Sequence, residues 1–185
     1  MRKNNLKTVA LFGGSFDPPH IGHESIVKEI LKLKLVDEVV VMPTYLNPFK
    51  SKFYAPSSLR LKWLKEIFKP YKNVKIDSYE IDLKRKVASI ESVHHLLKKY
   101  QKIYLVIGAD NLESLSKWYK YDELKELVTF VVATRDNIKV PTNFIKLKVE
   151  EDISSTSLRK YIDKSKLSTI SSDEITKFYK ENNDK

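Results

Sequence analysis

The chain has 185 residues and no cysteine, so disulfides, thiolate metal sites and a cysteine nucleophile are excluded. That length suits one domain with a real hydrophobic core, and no apolar run approaches the roughly 18 to 20 residues that a membrane span needs. The formal net charge is +10, but only five of the 34 basic residues are arginine (Arg2, Arg60, Arg85, Arg135, Arg159), and the remaining 29 are lysines spread along the chain. Such a spread favours a solvated lysine surface, with a bias toward small anions or a nucleic-acid face as the rival readings.

The opening MRKNNLKTVALFGG is basic then apolar, yet its apolar run, VALF, falls far short of the roughly 7 to 15 residues of a signal-peptide core. It reads as a first strand, TVALFG, in a cytoplasmic protein. HESIVKEILKLKL carries Ile26, Ile30, Leu31 and Leu35 at helical spacing and predicts an amphipathic helix. DEVVVMP predicts a second strand, and TYLNPFKSKFYAPS a long loop, its mobile part running from Tyr45 to Pro56. SSLRLKWLKEIFK predicts a helix with a serine cap and a stop at Pro70; Trp63 falls on its core side. NVKIDSYEID predicts a third strand, SIESVHHLLKKY a short helix with His94 and His95 on a structural face, and KIYLVIGAD a buried fourth strand. NLESLSKWYKYDELKEL predicts a helix with a weak middle. VTFVVATR and NFIKLKV predict two more strands, SSTSLRKYID and SSDEITKFYKEN the last two helices, and the polar end ENNDK is expected to fray.

This alternation predicts an α/β fold: a Rossmann-like, doubly wound, mostly parallel sheet with helices on both faces. No linker divides the chain, so residues 1–185 are expected to form a single domain, with the helices from about 154 packed onto it. In such sheets ligands bind beyond the carboxyl ends of the strands, where strand order reverses. The unusual residues fall there: GGSFDPPHIGH after the first strand, NPFK after the second, GADN after the fourth, ATRD after the fifth, and SSTSLR at the start of a late helix.

Three of the chain's four glycines and two of its four histidines sit in GGSFDPPHIGH. Gly13 and Gly14 let a ligand approach the backbone, whose free N–H groups hold anions. The spacing is not G-x-G-x-x-G, which disfavours a hydride-transferring dehydrogenase. Pro18 and Pro19 stiffen the turn, and His20 and His23 open a helix on one face, where unpaired N–H groups and the helix dipole already attract anions. The bland alternatives are histidines that merely cap or pack, and Asp17 as an ordinary turn residue. A metal site is disfavoured, since H-x-x-H has only Glu24 nearby as a third ligand. ISSTSLR, Ile153 to Arg159, is either an ordinary helix cap or a second anion site, with Arg159 placed to fork onto a phosphate.

GGSFDPPHIGH with a late SSTSLR resembles the HxGH nucleotidyltransferases. Within them, the doubled glycine with its PPH run, NPFK (Asn47 to Lys50) and IGADNLESLSKWYKYDEL (Ile107 to Leu124) resemble the bacterial nicotinate-nucleotide adenylyltransferases. The resemblance spans nearly the whole chain, in order. It implies transfer of the adenylyl group of ATP to nicotinate mononucleotide, giving deamido-NAD and pyrophosphate, with Mg²⁺ bound through the ATP phosphates and no metal ligands of the protein's own. It implies ATP and nicotinate mononucleotide as partners, no nucleic acid and no membrane; a homo-oligomer stays open.

The resemblance also implies roles. His20 and His23 contact the ATP phosphates, with His20 stabilising the transferring group, and Arg159 joins them as the third catalytic residue. Ser155, Thr156 and Arg159 hold the β and γ phosphates; Gly108 and Asp110 lie at the adenosine, with Asp110 accepting from ribose hydroxyls. Gly14 and Phe16 on the ATP side, and Gly13 and Ser15 on the mononucleotide side, line the crossing between the two nucleotides. Lys50 neutralises the mononucleotide phosphate, Trp118 stacks on the pyridine ring, and the backbone at Ser89 and Ile90 meets the nicotinate carboxylate. Arg135 is placed to reach ATP. One departure stands out: relatives carry Ser-Tyr-Thr where this chain has Ser89-Ile90-Glu91-Ser92, and Glu91 brings an acid near a carboxylate site unless it caps the helix instead. The rival enzymes are nicotinamide-mononucleotide and pantetheine-phosphate adenylyltransferases; the rival of another class is a basic nucleic-acid-binding module.

Overall fold

The computed structural model describes residues 7–134, 139–150 and 153–183. Six strands, β1 (Thr8–Gly14), β2 (Glu38–Pro43), β3 (Val74–Ile76), β4 (Lys102–Gly108), β5 (Val128–Thr134) and β6 (Ile145–Lys148), form one sheet in the order β3-β2-β1-β4-β5-β6. Every neighbouring pair is parallel. The strand order runs outward from β1 to β3, then restarts on the other side of β1 at β4, so the reversal lies between β1 and β4.

The strands are apolar on both sides because both sheet faces are covered. Ala10, Phe12, Val39, Val41 and Val106 pack against α1 (Ile21–Lys32), α2 (Ser57–Phe68) and α7 (Ser172–Asn183). Their alternating neighbours Val9, Leu11, Val40, Met42 and Leu105 pack against α4 (Ser89–Leu97) and α5 (Tyr121–Leu127). α6 (Ser155–Lys160) and α7 join the first of these cores through Leu158, Ile175 and Tyr179. Trp63 is wholly buried there, as its helical spacing predicts.

Several local expectations change. α1 ends at Lys32, and Lys34 takes a left-handed backbone (φ 52°), so Leu35 leaves the helical stripe and is exposed. The buried stripe runs through Val27 and Ile30 instead. Pro56, not a serine, occupies the N-cap of α2. The third strand stops at Ile76, and Tyr79–Asp82 winds into a one-turn helix, α3. The Asp77 carboxylate accepts the Tyr79 N–H (2.9 Å) and thereby starts that turn. Of the helix expected over NLESLSKWYKYDELKEL only Tyr121–Leu127, α5, forms, and two 3₁₀ turns precede it.

Candidate active site

The β1–α1 loop is a packed device. Phe16 adopts a left-handed conformation (φ 48°), which costs a non-glycine residue on the order of 1 kcal/mol. Its ring is 1% exposed, set edge-on to Phe12 (5.4 Å) and His23 (4.8 Å), and burial of that size offsets the strain by about 2 kcal/mol. The ring folds back over Gly14, where an added Cβ would meet it at 3.1 Å. Gly13 is exposed, and a Cβ there would meet nothing closer than the Met42 carbonyl at 3.9 Å. Packing favours a glycine at 14, where the Phe16 ring would have to yield to a Cβ; at 13 it leaves open backbone facing solvent.

His20 caps α1, and the His20 N–H donates to Nδ1 of His23 (3.1 Å). That nitrogen therefore carries no proton, and the neutral ring holds its proton on Nε2 as a donor. The two imidazoles stack with centroids 3.7 Å apart. From the other side, Arg159 donates to the Asp17 carbonyl (2.5 Å) and to Thr156 Oγ1 (3.0 Å), and its guanidinium lies over the Tyr54 ring. Ser155 Oγ donates to the Pro18 carbonyl (2.9 Å), tying the start of α6 to the histidine loop. Ser154 is the N-cap, accepting the Ser157 N–H (3.1 Å). An open cleft of about 390 Å³ lies beside Arg159, lined by Tyr54, Thr156, Lys160 and Tyr161.

The β2–α2 loop closes the third side. Lys50 Nζ donates to Ser15 Oγ (3.3 Å). Partial burial, and then the charge of Arg159, push the Lys50 ammonium below its ordinary value. A cation destabilised in this way gains most from an incoming anion. Lys86, ahead of α4, donates to the Pro48 carbonyl (3.0 Å), joining the α3–α4 segment to the same loop.

At α4 the Glu91 carboxylate accepts the Ala88 N–H (3.0 Å) and both arms of Arg85 (3.1 and 2.6 Å). The Arg85 charge holds the Glu91 carboxyl below its usual range. The acid that seemed out of place is thus a cap with its own counter-ion. Ile90 is buried, so only its backbone is available to a ligand, and Ser89 stands half-buried at the first turn. Phe16 likewise offers a ligand only its backbone.

The sheet register sets Phe12 beside Val106, which brings Gly108 to the same edge as Gly14, at the reversal of strand order. The Asp110 carboxylate folds against Gly108, where a Cβ would collide with it, and accepts from Asn111 (3.1 Å). Trp118 packs against the second core cluster, its Nε1 buried with no hydrogen-bond partner among the described residues. Arg135 lies outside the described residues. His94 and His95 do structural work, facing Glu123 (2.8 Å) and Asp77 (3.1 Å), with His95 stacked on Tyr79.

Three residues escaped the sequence reading. The Asp17 carboxylate, 3% exposed, accepts the N–H groups of Tyr54 (2.8 Å) and Ala55 (3.0 Å) and the hydroxyl of Tyr179. Arg60, on α2, is 1% exposed and bonds three carbonyls of the surrounding loops. Tyr179 brings α7 into the cradle, and burial followed by the Asp17 charge raises its hydroxyl far above the ordinary phenol value. The available signal was helical spacing: Arg60 shares a face with Trp63, Leu64 and Ile67, and Tyr179 with Ile175.

Residues 11–161 match the cytidylyltransferase-like family model. A protein of Sulfurimonas denitrificans, named a probable nicotinate-nucleotide adenylyltransferase, is 61% identical over 95% of this chain and 97% of its own. One of the same name from Nitratiruptor is 52% identical over 93% and 98%. The solved structure of Plasmodium falciparum nicotinic acid mononucleotide adenylyltransferase with NaAD shares the fold, with a TM-score of 0.75 at 20% identity over 94% of this chain and 98% of that one. With two close relatives matched nearly end to end, the chain belongs to the nicotinate-nucleotide adenylyltransferase family.

Proposed function

We propose that this protein transfers the adenylyl group of ATP to nicotinate mononucleotide, forming deamido-NAD and pyrophosphate, in the biosynthesis of NAD. The observation that carries this is the three-sided anion cradle at the β1/β4 reversal: the stacked His20–His23 pair on one side, Arg159 on another and Lys50 on the third. An oxygen of the mononucleotide phosphate attacks the α-phosphorus. The bond from that phosphorus to the bridging oxygen breaks, and pyrophosphate leaves with the electron pair. The protein contributes positioning and charge stabilisation rather than a covalent intermediate.

In this reading His23 Nε2–H and His20 meet the α-phosphate and the leaving oxygen, while Arg159, Thr156 and Ser155 take the β and γ phosphates. Backbone at Gly13 to Phe16 lines the crossing. Lys50 meets the mononucleotide phosphate, Ser89 and Ile90 offer their first-turn N–H groups to the nicotinate carboxylate, Trp118 faces the pyridine, and Gly108 and Asp110 hold the adenosine. Compensation of Glu91 by Arg85 and the Ala88 N–H removes the charge conflict with an acidic acceptor.

ATP enters as its Mg²⁺ complex, the ion held by phosphate oxygens. Asp17, a carboxylate at the cradle, already accepts three donors, so the ion is assigned to the substrate. We take residues 1–185 as one nucleotidyltransferase domain, supported by the seating of α6 and α7 in the first core. Among the described residues no helix is long and apolar enough to cross a membrane. We assign the reaction to the cytoplasm, in keeping with a chain without cysteine.

The test is pyrophosphate release with ATP and Mg²⁺, comparing nicotinate mononucleotide, nicotinamide mononucleotide and phosphopantetheine. Preference for the first is expected. Preference for the second would move the α4 assignment, and preference for the third would overturn the proposal.

A further inference from the structure

We propose that Arg60 is a positioning residue that sets the register between the two substrate cradles; the inference rests on the adenylyl-transfer reading above. Its guanidinium donates through Nη1 to the Ser15 carbonyl (2.6 Å), through Nη2 to the Tyr45 carbonyl (2.9 Å) and through Nε to the Ala55 carbonyl (3.0 Å). Ser15 belongs to the loop of the two histidines. Tyr45 opens the loop that carries Lys50, and Ala55 closes it. One rigid fork therefore spans the loop assigned to ATP and the loop assigned to the acceptor phosphate.

Asp17 completes the brace from the opposite direction. It belongs to the histidine loop, and its carboxylate holds the Tyr54 and Ala55 N–H groups of the Lys50 loop. Arginine on carbonyls of both loops and aspartate on amides of the Lys50 loop lock the same two segments twice. A buried charge is costly, and on the apolar face of Trp63, Leu64 and Ile67 this one is offset by the three carbonyls it satisfies. What an apolar residue lacks is direction: the planar guanidinium holds three acceptors in one fixed plane, a geometry that the rotatable ammonium of lysine does not impose. In-line attack needs the acceptor oxygen and the α-phosphorus held in near-attack geometry, and a misplacement of about 1 Å costs about a hundredfold. No direct contact of Arg60 with either substrate is needed for that effect.

The experiment compares wild type with Arg60→Lys and Arg60→Met in pyrophosphate release. It also measures binding of ATP, of mononucleotide and of the dinucleotide product by calorimetry. We expect kcat to fall between about tenfold and a hundredfold, each KM to stay within about threefold, and product affinity to weaken more than affinity for either substrate alone. Lysine keeps a buried charge and methionine removes it, so if one variant does not fold the other carries the test. Unchanged kcat with a lowered melting temperature would make Arg60 a packing residue and overturn the proposal, as would raised KM at constant kcat, or two variants that both fail to fold. If wild type prefers another mononucleotide, the functional reading falls. The same comparison run with that acceptor still decides the role of Arg60.

Discussion

Among the described residues, Glu80 is an acid whose removal should stabilise the fold. It lies on α3, 6% exposed, and its Oε1 accepts the hydroxyl of buried Ser92 (2.7 Å). Burial, with Glu91 and Asp77 adding repulsion, pushes its carboxyl up to about 7 from an ordinary 4.5. The folded state then binds a proton that the unfolded state has lost, so stability falls as pH rises from about 4.5 to about 7. About 2.5 units at about 1.4 kcal/mol each amounts to roughly 3 kcal/mol once both states are ionised. Glu80→Gln keeps the shape and the acceptor for Ser92 but carries no charge. It should gain about 2 to 3 kcal/mol at pH 8 and under about 0.5 kcal/mol at pH 4.5. With an unfolding entropy near 0.4 kcal/mol/K for 185 residues, the melting temperature should rise by about 5 to 8 °C at pH 8. Thermal unfolding followed by circular dichroism at both pH values measures it. A gain of equal size at pH 4.5 and pH 8, or a loss at both, would refute the reasoning.

Two substitutions probe the cradle itself. His20→Ala should lower kcat about 10²- to 10³-fold while the melting temperature falls by less than about 5 °C; near-full turnover would remove His20 from the chemistry. Tyr179→Phe leaves Asp17 its two N–H donors but removes the hydroxyl. A lost hydrogen bond to a buried carboxylate should cost about 1.5 to 3 kcal/mol, or about 4 to 8 °C, in thermal unfolding. An unchanged melting temperature would show that α7 is not held through that bond.

The parallel sheet was legible because β-branched runs and helical stripes alternate without ambiguity, and the positions of His20 and His23 at the start of α1, Lys50 in the β2–α2 loop and Arg159 in α6 followed from it. The errors have local causes. NVKIDSYEID looks extended throughout, but the Asp77 carboxylate captures the Tyr79 N–H and turns the chain into α3. Leu35 matches the helical period, but Lys34 leaves the helical region of backbone space first. Arg60 and Tyr179 were illegible for another reason. A single polar group on an apolar helical stripe, guanidinium or phenol, has the same pattern whether it reaches out to solvent or inward to a buried partner. Only the spatial meeting of residues as distant as 17 and 179 distinguishes the two. Asp17 showed the same limit: Asp-Pro announces a turn, but nothing in the pattern announces three donors waiting on two other segments.

The adjacent glycines at the end of β1 allow packing and ligand access to be separated by experiment. Neither has positive φ, so alanine is conformationally acceptable at both. At Gly13 the new methyl meets only the Met42 carbonyl, at an ordinary contact distance of 3.9 Å, and the narrower unfolded ensemble should leave stability unchanged or improved by about 0.4 to 1 kcal/mol. At Gly14 the methyl lies 3.1 Å from the Phe16 ring, which must yield by a few tenths of an ångström. That ring supports His23, so Gly14→Ala should lower kcat about three- to fivefold, scaled from about a hundredfold per ångström of misplacement, with stability reduced by about 1 kcal/mol. Gly13→Ala should instead keep or raise the melting temperature and raise KM about tenfold or more, because its methyl occupies backbone that a nucleotide would approach. The two variants therefore differ in the sign of the stability change and in which kinetic constant moves. Gly13→Ala with both KM values unaltered would mean that the open backbone at residue 13 faces no substrate, and the crossing between the nucleotides would have to run over Gly14, Ser15 and Phe16 alone.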